Sequence, residues 1–140
     1  MINPNLLINT KNWNRIIRLW KNGKLPHALL FHGPDGSGKE GHAVELAALL
    51  NCKISKNEKS CGSCPSCKKT KSFQHENVRL ILPLPRGKIK SSDDPVTKAF
   101  SDSVLKEYLK MIKQKEDDPY YSIRVPGANT ILINSIRELK

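Results

Sequence analysis

The fold of this chain is decided by residues 28–50, which read ALLFHGPDGSGKEGHAVELAALL. An apolar run at residues 28–31 precedes a glycine-rich turn, and a denser apolar block follows at residues 43–50. A short apolar run before glycine and proline is typical of a buried strand, whereas the longer block is typical of a helix that is covered on most sides. The sequence therefore predicts a strand, a glycine loop and a helix, in that order.

The glycine-rich turn has the spacing of a phosphate loop. In such loops the backbone N–H groups turn inward around phosphate oxygens, a lysine adds a point charge, and the following helix directs its dipole at the anion. The pattern is matched through the lysine, and a helix is expected to start near residue 40. The candidate phosphate-loop residues are Gly33, Gly36, Gly38, Lys39 and Glu40.

The eighth position of this loop departs from the pattern. Serine or threonine is expected there, because its hydroxyl ligates the magnesium ion of a bound nucleotide, but this chain has Glu40. A carboxylate repels a nucleotide, yet it complements the helix N-terminus of an empty loop. Two hypotheses follow: a loop kept as structure, which we favour, or a weakened site that still accepts a nucleotide. Binding of ATP and Mg²⁺ is left open.

Four cysteines predict a metal centre directly after this helix. Cys52, Cys61, Cys64 and Cys67 have the pattern C-x8-C-x2-C-x2-C, in a lysine-rich stretch that lacks the side chains for a core. Four soft ligands at this spacing suit tetrahedral zinc with no open coordination position. We therefore expect a structural Zn²⁺ ion, with an iron–sulfur cluster or four unligated thiols as the alternatives.

Hydrophobic spacing and capping signals predict the remaining elements. Residues 13–20 place their apolar side chains on one side of a helix, and residues 78–82 and 131–133 read as short strands. Asp94 and Pro95 supply the start of a helix that keeps apolar spacing from residue 96 to about residue 115.

A last helix is predicted at the C-terminal end of the chain. Ser135 and Glu138 have the spacing of a capping box, which opens a helix. Because the sequence stops as this helix begins, we expect the chain to be part of a larger protein.

Length and composition indicate one domain with a basic surface. The 140 residues are 38% hydrophobic, which suffices for a modest core. A formal net charge of +11 favours an anionic partner such as nucleic acid, although scattered lysines also serve to keep a surface solvated. No apolar run approaches the roughly 20 residues of a membrane span, and a signal-peptide layout is absent. We expect a cytoplasmic protein, whose clustered cysteines bind metal rather than form disulfides.

Taken together, residues 25–31, the loop at residues 33–39, the cysteines after its helix and residues 131–139 resemble bacterial DNA polymerase III clamp-loader subunits. The resemblance covers nearly the whole chain. These subunits are similar to gamma/tau and belong to the AAA+ family. The resemblance implies an α/β fold of the P-loop, AAA+/RecA-like type, with three layers around a parallel sheet. Residues 1–140 are then the incomplete N-terminal part of that domain, with a zinc module inserted at residues 52–67. Residues 84–129 form an extended insertion with a helix and no assigned role.

The resemblance also implies a function. Clamp-loader subunits of this family form a ring that opens the sliding clamp and places it on primed DNA. Their partners are the other loader subunits (gamma/tau and delta), the clamp and the DNA, with no membrane. The gamma/tau motor needs the hydroxyl that Glu40 replaces, so the resemblance is strongest to the delta prime type, which does not hydrolyse ATP. We expect no catalytic residues and no catalysis by this chain, within a DNA polymerase holoenzyme.

Three alternatives remain. The first is the ATP-hydrolysing gamma/tau subunit. The second is a zinc-containing nucleic-acid-binding module that uses the lysines around residues 52–67, against which stands the lack of aromatic residues for base stacking there. The third, a small-molecule kinase, is favoured least because no substrate-binding residues are evident.

Overall fold

The computed structural model describes residues 1–55 and 57–139. This part of the chain is helical and contains no β-strand. No helix in it is both long and apolar enough to cross a bilayer. The helical elements in these ranges are α1 (Thr10–Lys21), α2 (Lys39–Asn51), α3 (Pro65–Lys71), a 3-10 helix (Val96–Ala99), α4 (Asp102–Asp117) and α5 (Ile133–Arg137).

Helix α1 confirms the prediction made from residues 13–20. The Asn9 side chain accepts the N–H of Asn12 at 3.1 Å and caps the helix, which ends before Gly23, a residue with a φ of +64°. The buried side chains of Trp13 and Ile17 pack against α2. The cluster that joins the two helices consists of Trp13, Ile17, Leu46 and Leu49. Burial of each such side chain contributes roughly 1.5–3 kcal/mol, so this cluster holds α1 on α2.

Helix α2 confirms the predicted helix after the glycine loop. It begins at Lys39, immediately after Gly38, and ends at Asn51, immediately before the first cysteine. Its second buried side carries Ala48, which packs against Ile2 and Cys67. Helix α2 is therefore covered by α1 on one side and by the cysteine-containing segment on the other.

The three predicted strands, and with them the predicted parallel sheet, are wrong for the part of the chain that the structure describes. A strand needs a neighbour that completes its backbone hydrogen bonds. No backbone hydrogen bond joins described residues 25–32 to another segment, and Leu30 is 86% exposed. Near residues 78–82, one bond of 3.3 Å from Leu84 N–H to the Thr130 carbonyl is not continued into a ladder. Ile133 belongs to α5 instead.

The predicted helix from residue 96 is divided. The Asp94 carboxylate accepts the N–H groups of Lys90 and Ser91 at 2.8 and 3.0 Å, so it caps the preceding turn rather than a long helix. A 3-10 helix follows, and the extended backbone of Phe100 interrupts the helical path. Helix α4 then starts from Ser101, whose hydroxyl accepts the N–H of Val104 at 3.4 Å. The capping side chains of Asp94 and Ser101 therefore determine the break between the 3-10 helix and α4, which the apolar spacing alone did not show.

The predicted capping box is also wrong. Helix α5 has Leu132 as its N-cap and begins at Ile133, so Ser135 lies inside it. The Glu138 carboxylate accepts the N–H of Val96 at 2.8 Å instead of capping its own helix. Glu138 therefore connects α5 to the 3-10 helix.

Residues 84–129 have a hydrophobic cluster of their own. Phe100 and Tyr108 pack with ring centroids 5.2 Å apart, and burial raises the pKa of the Tyr108 hydroxyl. The buried members of the cluster are Leu84, Ile89, Ala99 and Val125. This segment is thus packed internally and not merely attached to α2.

Candidate phosphate loop and metal centre

The glycine loop lies between residues 33 and 39 and requires glycine at specific positions. Gly36 and Gly38 both have a φ of +73°, a left-handed conformation that disfavours a side chain. At Gly38 a Cβ atom would also lie 2.9 Å from Cε1 of Tyr120. Gly38 is therefore fixed by its backbone and by its neighbour.

Lys39 closes this loop on itself. Its ammonium donates to the carbonyls of Gly33 and Pro34 at 2.9 and 2.8 Å and lies 3.8 Å from Asp35 Oδ1. The side chain remains 29% exposed. The loop thus presents a partly accessible cation that is already hydrogen-bonded by loop carbonyls.

Glu40 makes an ion pair that the sequence did not predict. Its Oε2 lies 2.8 Å from Nζ of Lys115, near the end of α4. The Lys115 side chain is 4% exposed, and its ammonium also donates to the carbonyls of Pro119 and Tyr121 at 3.0 and 2.6 Å. Two backbone carbonyls therefore accept hydrogen bonds from the ammonium, and the Glu40 carboxylate lies within ion-pair distance of it. No spacing signal links the two residues, because they come from separate parts of the chain.

The start of α2 is covered by the turn that follows α4. A Cβ atom at Gly41 would lie 3.1 Å from Cβ of Pro119, and Gly38 faces Tyr120. The Tyr120 hydroxyl accepts the N–H of Leu7 at 2.9 Å. Residues 119–120 thus contact the loop and the segment before α1 at once.

His42 connects the loop to α1. Its Nδ1 lies 2.7 Å from the Gly38 carbonyl, and its Nε2 accepts the N–H of Asn9 at 3.1 Å. These partners assign the proton to Nδ1. His42 is therefore a structural residue.

A cavity of about 510 Å³ opens beside the loop. Its lining combines apolar side chains, such as Ile16 and Phe31, with the cations Arg15 and Lys39. Such a lining can contact an anionic group that also has an apolar part.

The four cysteines come together as the sequence predicted. Their sulfur atoms all lie within 4.8 Å of one another, and Sγ of Cys61 is 3.7 Å from Sγ of Cys67. Zinc–sulfur bonds of about 2.3 Å give sulfur–sulfur distances of about 3.8 Å in a tetrahedron. Cys52, Cys61, Cys64 and Cys67 could therefore hold one metal ion if their sulfur atoms move by about 1 Å or less.

Backbone N–H groups point at the thiols of this cluster. Sγ of Cys61 accepts from Cys64 N–H at 3.3 Å, and Sγ of Cys64 accepts from Cys67 N–H at 3.4 Å, which starts α3. The hydrogen bonds from the backbone of Cys64 and then of Ser63 lower the pKa of Cys61 to about 5. Burial raises the pKa of Cys67 to about 12. A metal ion bound here would therefore be coordinated by the Cys61 thiolate and would displace the proton of the buried Cys67 thiol.

Glu45 is a functional candidate that the sequence analysis missed. Its carboxylate is fully buried in α2 and accepts the N–H of Ile2 at 3.0 Å. It also accepts the N–H and the hydroxyl of Ser60, beside Cys61, at 3.2 and 2.8 Å. The available signal was one charged residue inside an otherwise apolar helical block. Glu45 thereby connects the cysteine-containing segment to α2.

A serine–histidine contact beside the four cysteines has the wrong hydrogen-bond direction for catalysis. Nδ1 of His75 accepts the N–H of Asn77 at 3.1 Å, so Nε2 carries the proton and donates to Ser66 Oγ at 2.8 Å. The Ser66 hydroxyl in turn donates to the Asn51 carbonyl at 2.8 Å. His75 therefore does not act as a base toward Ser66.

This chain is similar to subunits of bacterial DNA polymerase III. The family model described as DNA polymerase III, delta subunit, matches residues 8–140. Subunit delta' of DNA polymerase III from Bacillus subtilis (strain 168) is 30% identical over 101 residues, which cover 69% of this chain and 30% of that protein. The gamma/tau subunit from Mycobacterium tuberculosis is 47% identical over 45 residues, which cover 32% of this chain and 8% of that protein. Protein STICHEL-like 3 of Arabidopsis thaliana is 38% identical over 61 residues, which cover 44% of this chain and 6% of that protein.

The chain spans at most 30% of the length of these relatives. No solved structure matches it. The family model, however, covers nearly the whole chain, including the glycine loop and all four cysteines. The chain therefore belongs to the family DNA polymerase III, delta subunit.

Proposed function

We propose that this chain belongs to a delta prime-like subunit of the DNA polymerase III clamp loader, which helps load the sliding clamp onto primed DNA without hydrolysing ATP itself. Family membership supports the loader assignment. The delta' relative matches 69% of the chain, whereas the gamma/tau relative matches 32%, which supports the delta prime type over the motor type.

This proposal rests on the identity of Glu40 and on its ion pair with Lys115. A working loop needs a hydroxyl at this position for magnesium, and here a carboxylate stands there, 2.8 Å from the ammonium of Lys115. Without that ligand, the loop lacks the means to hold the metal that neutralises charge during phosphoryl transfer. The glycine loop is then a structural element that keeps the helical N-terminus in place.

The organisation that we propose has three parts. Residues 1–140 form the N-terminal part of an AAA+ nucleotide-fold domain of the P-loop type, within which residues 52–67 are an inserted zinc module. Residues 84–129 are an inserted segment, supported by its separate hydrophobic cluster. When bound, Zn²⁺ would hold the four thiolates together where the chain has little hydrophobic core.

The proposed partners follow from the family. They are the gamma/tau and delta subunits of the loader, and through the complex the sliding clamp and primed DNA, in the cytoplasm. The formal net charge of +11 supports an environment that contains nucleic acid.

Nucleotide titration and reconstitution test the proposal. Calorimetric titration of ATP with Mg²⁺ into this chain is expected to give no binding in the micromolar range. In a loader reconstituted with gamma/tau and delta, Lys39→Met in this protein is expected to leave ATP turnover unchanged, whereas the same change in the gamma/tau loop abolishes it. Micromolar binding by the chain, or loss of turnover with Lys39→Met alone, would assign the motor role instead.

A further inference from the structure

We propose that Lys115 is a built-in cation of the phosphate loop, through which the segment 115–121 holds the start of α2 in one position without nucleotide or divalent metal. This inference deepens the proposed function and rests on its non-hydrolytic interpretation of Glu40. It also gives a role to part of residues 84–129, which the sequence left without one.

Lys115 is both buried and ion-paired. The Lys115 side chain is 4% exposed, and its ammonium is costly to bury unless its charge and its donors are matched. Two backbone carbonyls match two donors, and the Glu40 carboxylate provides the negative charge. Among the described residues, Glu40 is the carboxylate within ion-pair distance of Lys115. The burial of Lys115 therefore depends on the eighth residue of the loop.

The residues around this pair are closely packed. Tyr120 lies so near Gly38 that a Cβ atom there would be 2.9 Å from its ring, and Pro119 lies against Gly41. The Tyr120 hydroxyl also accepts the N–H of Leu7. Apolar contact, a hydrogen bond and an ion pair thus connect the segment 115–121 to the first turn of α2 and its surroundings.

The consequence concerns the response to nucleotide. In a working loop, the eighth side chain binds magnesium only when a nucleotide is present, so its surroundings change with nucleotide state. Here the cation that pairs with the eighth residue, Glu40, is the ammonium of Lys115, which belongs to the protein itself. The start of α2 is then held in the same way whether or not nucleotide is present.

Hydrogen exchange of the full chain, measured without nucleotide, tests this role. The readout is the amide protons of residues 42–46, the first hydrogen-bonded amides of α2. Lys115→Met is expected to raise their exchange rate about tenfold, because it removes the ion pair between the buried Lys115 and Glu40 in the first turn of α2. Lys113→Met is the matched control, since Lys113 lies on the same helix, pairs with Glu116 and is 65% exposed. It is expected to leave these amides unchanged.

Glu40→Gln supplies the reciprocal measurement. Glu40 is itself 48% exposed, and glutamine keeps a carbonyl oxygen at this position, so we expect the variant to fold. It is expected to raise exchange of the amides of Asp118, Tyr120 and Tyr121. Combined with Lys115→Met, it should add little to either single change, because both remove the same contact. Unchanged amides at residues 42–46 in Lys115→Met, or additive effects of the two changes, would overturn the proposal. Titration with Mg²⁺ and ATP decides the proposed function separately, since these exchange rates involve no nucleotide.

Discussion

Substitution of Glu45 is expected to weaken the metal centre although Glu45 does not touch a cysteine sulfur. The buried carboxylate accepts from Ile2 N–H, Ser60 N–H and the Ser60 hydroxyl. Glu45→Gln replaces one oxygen by an NH₂ group, which then faces a donor. Each buried donor left without an acceptor costs roughly 1–3 kcal/mol, so we expect a loss of about 2–3 kcal/mol in the free energy of unfolding. That is a large share of the roughly 5–15 kcal/mol typical of a domain.

The effect on the metal follows from the position of Ser60 next to Cys61. Loss of a partner that orients a ligand commonly lowers metal affinity by about 10–100-fold, and we expect a decrease in that range for Zn²⁺. Competition with a chromophoric chelator at fixed pH measures the affinity, and urea unfolding of the zinc-loaded chain measures the stability.

The matched control is Glu58→Gln. Glu58 lies in the same loop as Ser60 but pairs with Lys21 at the surface, where the Glu58 side chain is 43% exposed. Its substitution should change stability by no more than about 0.5 kcal/mol and leave zinc affinity unchanged. If Glu45→Gln bound zinc as tightly as the parent, or if Glu58→Gln weakened binding equally, Glu45 would not position the metal centre.

Four further results are expected. Glu40→Thr alone should not gain binding of ATP with Mg²⁺ in calorimetry, because it leaves the buried ammonium of Lys115 beside the metal position; the double variant with Lys115→Met should gain it, and equal gain by both would contradict this reasoning. Trp13→Ala should destabilise the chain by about 3–5 kcal/mol in urea unfolding, since Trp13 is 3% exposed, while zinc affinity measured by chelator competition stays the same. Hydrogen bonds from Lys98 and then from the backbone of Ser91 and Lys90 hold the pKa of Asp94 far below its usual range. Its contribution to stability is therefore present above the unfolded pKa of about 4 and lost as pH falls through the lower folded pKa; Tm measured from pH 6 to pH 3 should fall less steeply in Asp94→Asn, and parallel curves would refute this. Removal of metal by a chelator should raise hydrogen exchange in α3, where Cys67 is anchored, while the buried amides of α1 stay protected.

Local signals in the sequence were enough for the helices and ligands that depend on neighbours in the chain. Helix α1 follows from the spacing of Trp13 and Ile17, α2 follows from its apolar block after Gly38, and the cysteine spacing was enough to bring four sulfur atoms together. In each case the residues that determine the structure lie close together in the sequence, so the pattern of residue types predicts it.

Features that depend on distant partners could not be predicted in this way. Apolar runs at residues 28–31 and 78–82 are typical of strands, but a strand forms only where another segment completes its backbone hydrogen bonds. The pair between Glu40 and Lys115 joins residues that no motif relates. Glu45 was a visible exception inside an apolar block, yet its partners became evident only with the fold.

Helix α2 has a geometric consequence of its own, because the glycine loop lies at one end and Cys52 at the other. Its 13 residues span about 20 Å, with no joint between the ends. If the helix tilts as a rigid rod, a tilt of about 5° at Lys39 displaces Cys52 by about 2 Å over that length. Metal–sulfur distances tolerate only about 0.2 Å, so a metal ion on the four cysteines resists such a tilt and stiffens the loop from the far end of the helix.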